Sequence, residues 1–471
     1  VTRIVVGPFN RVEGDLEISL DLEAGRVREA RVNSPLFRGF EQVMIGRSPL
    51  DALAIVPRIC GICSVSQSAA AASALADAMG IAPTANGQLA RHLIQATENL
   101  ADHLTHFYLF FMPDFARPAY AERAWFPDVA ARFMAVKGSA GADVLPARAS
   151  FLRLMGFLAG RWPHTLAIQP GGSTRAITAG ERIRLLALLR EFRSFLERHL
   201  FGDSLPSLAA LDSKAALLAW AKGRPGDFPS FLRAAQDLGL DRIGRAEDRF
   251  LSYGAYDLFP AGRWQGGLLG LDAGAIVEDT EHAWLLDGMP RHPADGETIV
   301  AADKPAAYTW CKAPRLAEQP HEVGALARQV IAGRPLLLDM VQTDGGSVMA
   351  RVVARLVELA LVLPAMEAWV QALRPGEPFC AEGVLPDEGS GVGLVEAARG
   401  SLGHWLSIRR GHIERYQIIA PTTWNFSPRD RNGLPGPLEQ ALVGLPAGEG
   451  APPTVQHVVR SFDPCMVCTV H

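Results

Sequence analysis

Four cysteines hold the most legible chemistry in this sequence. They form two Cys-x-x-Cys pairs, Cys60/Cys63 and Cys465/Cys468, one near each end of a chain of 471 residues. Two intervening residues let the chain turn back, so both sulfurs of a pair can reach one metal. Two such pairs supply four thiolates, a soft ligand set suited to zinc, iron–sulfur clusters, copper(I) or nickel. The plainer readings are a structural zinc site or two unrelated redox dithiols. Structural zinc usually knits a short local loop, whereas this site would tie the start of the chain to its end. That separation hints at a cofactor assembled deep in a large core. Six cysteines in all rule out a disulfide scaffold. The other two, Cys311 and Cys380, read as buried, inert thiols.

The elements that must position these cysteines are mostly helical. Leu16, Ile18, Leu20 and Leu22 alternate with polar residues, the period of a half-buried strand. Ala24-Gly25 supplies a turn, and Val27 to Val32 returns as a second strand. Beyond this hairpin, Ser64 to Met79 is alanine-rich and stopped by Gly80. Asn86 to Phe111, Thr178 to Leu200 and Val348 to Leu373 read as further long helices, the second opened by a Thr178/Glu181 capping box and the third kinked at Pro364. Four such helices suggest a bundle core. Gly202 to Pro305 reads as a peripheral insertion of short elements. Trp405 to Arg409 and Ile413 to Ile419 flank Arg410-Gly411-His412 as a second hairpin. Pro446 to Pro453 reads as a loop, and Val455 to Val459 as a last short strand. The expected class is mainly α with small α+β parts, a long-helix bundle core with peripheral β-hairpins. We expect a single domain over 1–471, with the first hairpin and cysteine pair in 1–80, the helical core and its insertion in 81–400, and the second hairpin and pair in 401–471.

Bulk properties narrow the partners. Apolar residues make up 48% and charged residues 20%, with a net charge of −4, an ordinary globular balance without the basic footprint that nucleic acid demands. The start, Val1-Thr2-Arg3-Ile4-Val5-Val6, turns polar too soon for a secretory signal. Val352 to Leu373 is the most apolar stretch, but Arg355, Glu358 and Glu367 interrupt it, so it does not read as a membrane span. A cytoplasmic protein is the expectation.

The residues around the cysteines say more. Arg58-Ile59-Cys60-Gly61-Ile62-Cys63 and Asp463-Pro464-Cys465-Met466-Val467-Cys468-Thr469-Val470-His471 resemble the two signature segments of nickel–iron hydrogenase large subunits. Arg11-Val12-Glu13-Gly14, Arg38-Gly39-Phe40-Glu41, Asp102-His103-Leu104-Thr105-His106-Phe107-Tyr108, Arg399-Gly400-Ser401-Leu402-Gly403-His404-Trp405 and Pro421-Thr422-Thr423-Trp424-Asn425 agree in order and type. The resemblance runs from about residue 3 to 471. It implies a heterolytic hydrogen-splitting site in which four cysteines hold nickel and two of them bridge to an iron carrying one carbon monoxide and two cyanides. Cys60 and Cys465 would be terminal ligands, with Cys465 a candidate first base, and Cys63 and Cys468 would bridge. An ending at His471 resembles the matured form of this family.

Carried over residue by residue, Glu13 would relay the proton, although alone it reads as a surface glutamate near a strand. Arg399 would lie over the open metal site with Asp102 and Asp463 as partners, a coherent group because a buried arginine needs them. Thr422 matches the position whose hydroxyl bonds a cyanide, and Ala398 stands before Arg399 where many members have proline. Glu41, the carbonyl of Ile418 and the terminal His471 match a magnesium-like site, whose ligand types suit a hard cation. His103 and His106 read as packing and hydrogen-bonding residues rather than a metal pair. Gln67 replaces the histidine most energy-converting members carry, so a hydrogen bond survives there but titration does not. Cys63-Ser64-Val65-Ser66-Gln67 resembles the subgroup of hydrogen sensors and cyanobacterial-type uptake enzymes. The sensor branch, which reports hydrogen to a histidine kinase, is the expected role, with uptake as the alternative. After the site only two cysteines remain, too few for an iron–sulfur cluster with four cysteine ligands. The resemblance therefore implies an obligate heterodimer with an iron–sulfur small subunit.

Overall fold

Residues 2–447 and 453–471 are described by the computed structural model. Near the N-terminus, β1 (Thr2–Val6), β2 (Glu17–Glu23) and β3 (Arg26–Asn33) form an antiparallel sheet in the order β1-β2-β3. The expected hairpin is β2–β3, and its inward set includes the fully buried Ile18, Leu20 and Val32. The residues that looked like a failed signal form the added edge strand β1.

Helix α1 (Ser64–Met79) has the expected bounds, with Gly80 in the left-handed conformation at its end. It is followed by α2 (Ala85–Thr105), capped by Thr84 Oγ accepting from Gly87 N at 3.0 Å. At His106 the α-helical ladder widens into a π-helical turn that runs to Phe111. Then come α3 (Ala140–Leu158), α4 (Ala179–Phe195), α5 (Ala325–Ile331) and α6 (Val348–Ala372). The Thr178/Glu181 capping box at α4 is present, and α6 runs through Pro364 as one helix. Between α4 and α5 lie short helices and strands, as the composition of 202–305 suggested.

The bundle is built from α2, α3, α4 and α6, which pack side by side. The expectation differed by one member. α1 lies instead along a second antiparallel sheet, β4 (Glu388–Ala397), β5 (Gly400–Arg409) and β6 (His412–Ile419), of which only β5 and β6 were foreseen. The reason is steric. Gly391 and Gly393 let β4 approach α1 so closely that a Cβ on either would fall 1.9 Å from the carbonyl oxygens of Ala74 and Ala70. The alanine run of α1 is the other half of that contact. Helix α3 was missed in sequence because Pro146 sits inside it.

The chain ends with α7 (Pro421–Asn425), α8 (Pro453–Ser461) and α9 (Met466–Thr469). The strand expected over Val455 to Val459 is the helix α8. Val455, Val458 and Val459 are fully buried at i, i+3 and i+4, which is helical and not alternating spacing. Most of the expected Pro446–Pro453 loop, residues 448–452, lies outside the described residues. One hydrophobic core holds residues from Val6 to Cys468, and all four paired cysteines belong to it.

Candidate metal centre

The first cysteine pair is set by the start of α1, where Cys63 is the capping residue. Helix starts leave backbone N–H groups without partners. Here the buried Glu98 of α2 accepts from Val65 N at 2.9 Å, from Ser66 N at 3.0 Å and from the hydroxyls of Ser64 and Ser66. Trp162 Nε1 donates to the same carboxylate at 3.0 Å. Burial still pushes Glu98 up to about 7.

The second pair is laced to the opposite end of the chain. Met466 N donates to the Glu13 carbonyl at 2.7 Å, pairing Glu13 with Cys465 in a parallel bridge. Gly14 follows with φ +82°, and a Cβ there would lie 3.1 Å from Val467 N, so both conformation and space call for glycine. Cys465 N donates to Thr422 Oγ at 3.1 Å. Arg38 donates to the carbonyl of Val467 at 3.0 Å and to that of Ile59, joining the two motifs.

Together these ties gather the sulfurs. Cys60 and Cys465 Sγ are 3.4 Å apart, Cys63 and Cys468 3.0 Å, and Cys465 and Cys468 3.1 Å, with all four within 4.8 Å of one another, buried and free of disulfides. Hydrogen bonds from Cys465, Cys468 and Cys63 hold the Cys60 thiol well below its usual range. Its partners go the other way. Interaction with Cys465 raises Cys63, and burial raises Cys468. Four buried sulfurs this close cannot all ionise without a counter-charge, so four thiolates call for a cation among them. This donor set fits a soft, thiolate-bound metal centre. Among the described residues it is the only group of three or more metal-ligating side chains gathered in this way.

Charged residues cover the cluster. Arg399 Nη1 lies 2.8 Å from Asp102 Oδ2 and its Nη2 3.0 Å from Asp463 Oδ1, while Nε donates to the Asp463 carbonyl at 2.9 Å. All three residues are buried. Burial pushes Asp102 up to about 8 despite Arg399, whereas Arg399, against the cost of burial, holds Asp463 below the ordinary carboxylate range. Glu13 is half-buried, and burial followed by the charge of Cys60 raises its carboxyl. Gln67, one turn beyond Cys63, is fully buried and its side-chain oxygen meets His404 Nε2 at 2.8 Å. Ala398 is buried, and its carbonyl accepts from Arg328 at 3.1 Å.

Comparison with known proteins gives this arrangement a family. The profile of the nickel-dependent hydrogenases matches residues 38–129 and 139–471. The chain belongs to that family. It is a hydrogenase large subunit, an oxidoreductase acting on hydrogen, and it matches relatives over their whole length. It is 31% identical to the periplasmic NiFeSe hydrogenase large subunit of Desulfomicrobium baculatum, covering 100% of this chain and 95% of that one. It is 28% identical to the uptake hydrogenase large subunit of Azotobacter chroococcum, with the same two coverages. The solved structure of the H2-activated Desulfomicrobium baculatum NiFeSe hydrogenase superposes with a TM-score of 0.86 at 29% identity, covering 100% of both chains.

A second cluster in this hydrogenase gathers the residues expected around magnesium. Glu41 is buried, accepts from Ile418 N at 2.8 Å and lies 3.2 Å from His471 Nε2. The terminal His471 is itself buried, with Nδ1 2.8 Å from the Cys468 carbonyl. Ile418 thus meets Glu41 through its amide. Lys312, Glu278 and Gln417 were not anticipated. Lys312 Nζ lies 3.1 Å from Glu41, 3.3 Å from Glu278 and 2.6 Å from Gln417 Oε1. Burial alone would raise Glu41, but Lys312 and then His471 hold it well below the usual range.

His103 and His106 meet the Glu358 carboxylate at 3.1 Å and the Arg460 carbonyl at 2.6 Å, as packing residues should. Cys311 is buried as expected, but Cys380 is exposed, its backbone bridged to Gly172 while its side chain faces outward. Sequence reasoning also missed Arg328, Glu358 and Glu396, buried charges behind Arg399. The one usable signal was Glu358 inside the apolar run of α6.

Proposed function

We propose that this hydrogenase oxidises hydrogen as an uptake-type enzyme, at a nickel–iron centre held by Cys60, Cys63, Cys465 and Cys468. The observation that carries the reading is the set of four buried sulfurs within 4.8 Å beneath an Arg399 clamped by two aspartates. Cys60 and Cys465 would hold the nickel as terminal ligands, and Cys63 and Cys468 would be shared with an iron bearing one carbon monoxide and two cyanides. When bound, such a centre supplies the redox chemistry by which hydrogen is split heterolytically.

The protein's own residues orient and carry away what is formed. Arg399 holds its charge over the site because the ionised Asp463 compensates it in a water-poor interior, with Asp102 as a second, hydrogen-bonding partner. The Thr422 oxygen already accepts from Cys465 N, which leaves its hydroxyl proton to donate to a cyanide. Cys465 takes the first proton, and Glu13, bridged to it through the backbone and half-buried, passes it toward solvent. Glu41, Ile418 and His471 position a magnesium-like cation, with Glu41 and His471 already facing each other at 3.2 Å.

Electrons leave through a partner small subunit bearing iron–sulfur clusters, since Cys311 is buried and Cys380 exposed and neither has a companion thiol. Uptake is preferred to sensing because the relatives named above include an uptake enzyme and no sensor. A role in signalling to a histidine kinase rests on the resemblance of the Cys63 to Gln67 segment to the sensor branch, with no relative named here as a sensor. The expectation of a cytoplasmic location has no support from a relative named as periplasmic. Among the described residues, no helix is long and apolar enough to cross a membrane.

Infrared spectra of the purified heterodimer, before and after hydrogen, test the reading. One carbonyl and two cyanide bands that move under hydrogen are expected, with sustained hydrogen-dependent reduction of a dye. Zinc in place of nickel, and no such bands, would overturn it. Normal bands with only slow turnover would return the sensor reading.

A further inference from the structure

We infer that Tyr416, acting through His404, fixes the side-chain amide of Gln67 so that its NH2 group faces the metal centre. The inference rests on the reading that a nickel–iron centre occupies the cysteine cluster. It concerns residues that have no part in holding the metals.

Three buried polar groups lie in a row. Tyr416 Oη is 2.8 Å from His404 Nδ1, and His404 Nε2 is 2.8 Å from Gln67 Oε1. All three residues are fully buried. β5 and β6 are hydrogen-bonded neighbours, so the sheet supplies both His404 and Tyr416, while α1 supplies Gln67. Among the described residues the side chain of His404 meets only the Tyr416 hydroxyl and the Gln67 oxygen, both uncharged, so it is a neutral imidazole with one N–H.

A neutral imidazole between two partners can be wired in two ways. In the first, Tyr416 donates to Nδ1 and Nε2–H donates to the Gln67 oxygen. In the second, Nδ1–H donates to Tyr416 and Nε2 accepts from a flipped Gln67 amide. The second wiring strands the tyrosine proton, because Tyr416 Oη has no hydrogen-bond partner other than His404 among the described residues. A buried hydroxyl without an acceptor gives up its hydrogen bond to water and gains none in return, which is costly. Tyr416 therefore selects the first wiring, and the tautomer of His404 selects the orientation of Gln67.

The consequence falls on the other end of the amide. Gln67 Nε2 is buried and has no partner in the protein among the described residues. Gln67 N donates to the Cys63 carbonyl at 3.1 Å, so Gln67 stands one turn above Cys63 on the same face of the helix. Two unused N–H donors beside a cluster of thiolates point to an anionic acceptor belonging to the centre, a thiolate sulfur or a cyanide. With the amide flipped, an oxygen would face that negative charge instead. Tyr416 and His404 are thus positioning residues, and Gln67 is the group through which they act.

The test is a double-mutant cycle read in the carbonyl and cyanide stretching bands of the nickel-loaded heterodimer. Gln67→Leu removes the donors, and Tyr416→Phe removes the proton that orders the chain. Each single variant is expected to shift the bands, and Y416F/Q67L is expected to reproduce the shift of Q67L alone. Y416F bands that coincide with the wild type while Q67L bands move, or a double variant whose shift is the sum of the two, would overturn the inference. Should Y416F fail to load nickel, His404→Gln takes its place in the same cycle, with the same two outcomes. A wild-type spectrum without carbonyl and cyanide bands would instead remove the reading on which the inference stands.

Discussion

Behind Arg399 lies a buried ion network whose loss can be estimated from its geometry. Arg328 of α5 is fully buried and uses every donor it has. Nε and Nη2 reach Glu358 of α6 at 3.1 and 2.8 Å, and Nη1 reaches Glu396 of β4 at 2.7 Å. The remaining two bonds go to the carbonyls of Ala397 and Ala398 at 2.9 and 3.1 Å, immediately before Arg399. Glu358 also meets His103, the neighbour of Asp102. Arg328 thus joins the strand that delivers Arg399 to the helix that delivers its partner. Burial would raise Glu358, but Arg328 and His103 outweigh it and hold the carboxyl at about 2. Against an unfolded value of ~4.3 that is about two units, or ~3 kcal/mol at neutral pH. Removing one partner of a buried ion pair costs about 3–5 kcal/mol, which is consistent.

Arg328→Met is therefore expected to lower stability by ~3–5 kcal/mol at pH 8, and R328K by less because the charge is kept. The pH dependence is the sharper signature. In the wild type the depressed Glu358 stabilises fully above its unfolded pKa, and that contribution is lost only as pH falls toward about 2. In R328M burial raises Glu358 above its unfolded value and raises further the Glu396 carboxyl, which burial already holds up in the wild type, so stability drops as pH rises from ~4.3 upward. The gap between the two proteins should widen from pH 5.5 to pH 8. Urea midpoints followed by tryptophan fluorescence measure it, with nine tryptophans as reporters. A gap under ~1 kcal/mol, or one that does not change with pH, would refute the argument that Arg328 neutralises this site.

Two further expectations concern other levels of the structure. Glu13→Gln keeps the backbone bridge to Cys465 but removes the proton carrier, so hydrogen–deuterium exchange should fall by about 10²–10⁴-fold with the infrared bands retained; undiminished exchange would place the relay elsewhere. Thr178→Ala removes the hydroxyl that accepts from Glu181 N at 3.2 Å and should cost about 1 kcal/mol in the same urea assay, leaving activity unchanged; an unaltered midpoint would mean the start of α4 is held by packing alone.

What could be read from the sequence depended on how far apart the interacting residues lie. The bounds of α1 and the Thr178/Glu181 box are local matters of propensity and capping, and the structure has both. The cysteine pairs and the Asp102, Arg399 and Asp463 motifs were legible as chemistry, and they do converge on one place. The segment over α8 reads as a strand by its β-branched valines, and only their burial at helical spacing shows the helix. The role of α1 could not be read in this way, because its partner is a pair of glycines in a strand more than three hundred residues later. The same holds for Tyr416, Arg328 and Lys312, ordinary residues whose meaning lies in a distant partner. A sequence motif marks the groups that touch the chemistry. The groups that aim them, such as Tyr416 behind Gln67 and Arg328 behind Arg399, emerge only from asking where each buried proton and charge is satisfied. That is why the further roles assigned here fall on residues one contact removed from the motifs.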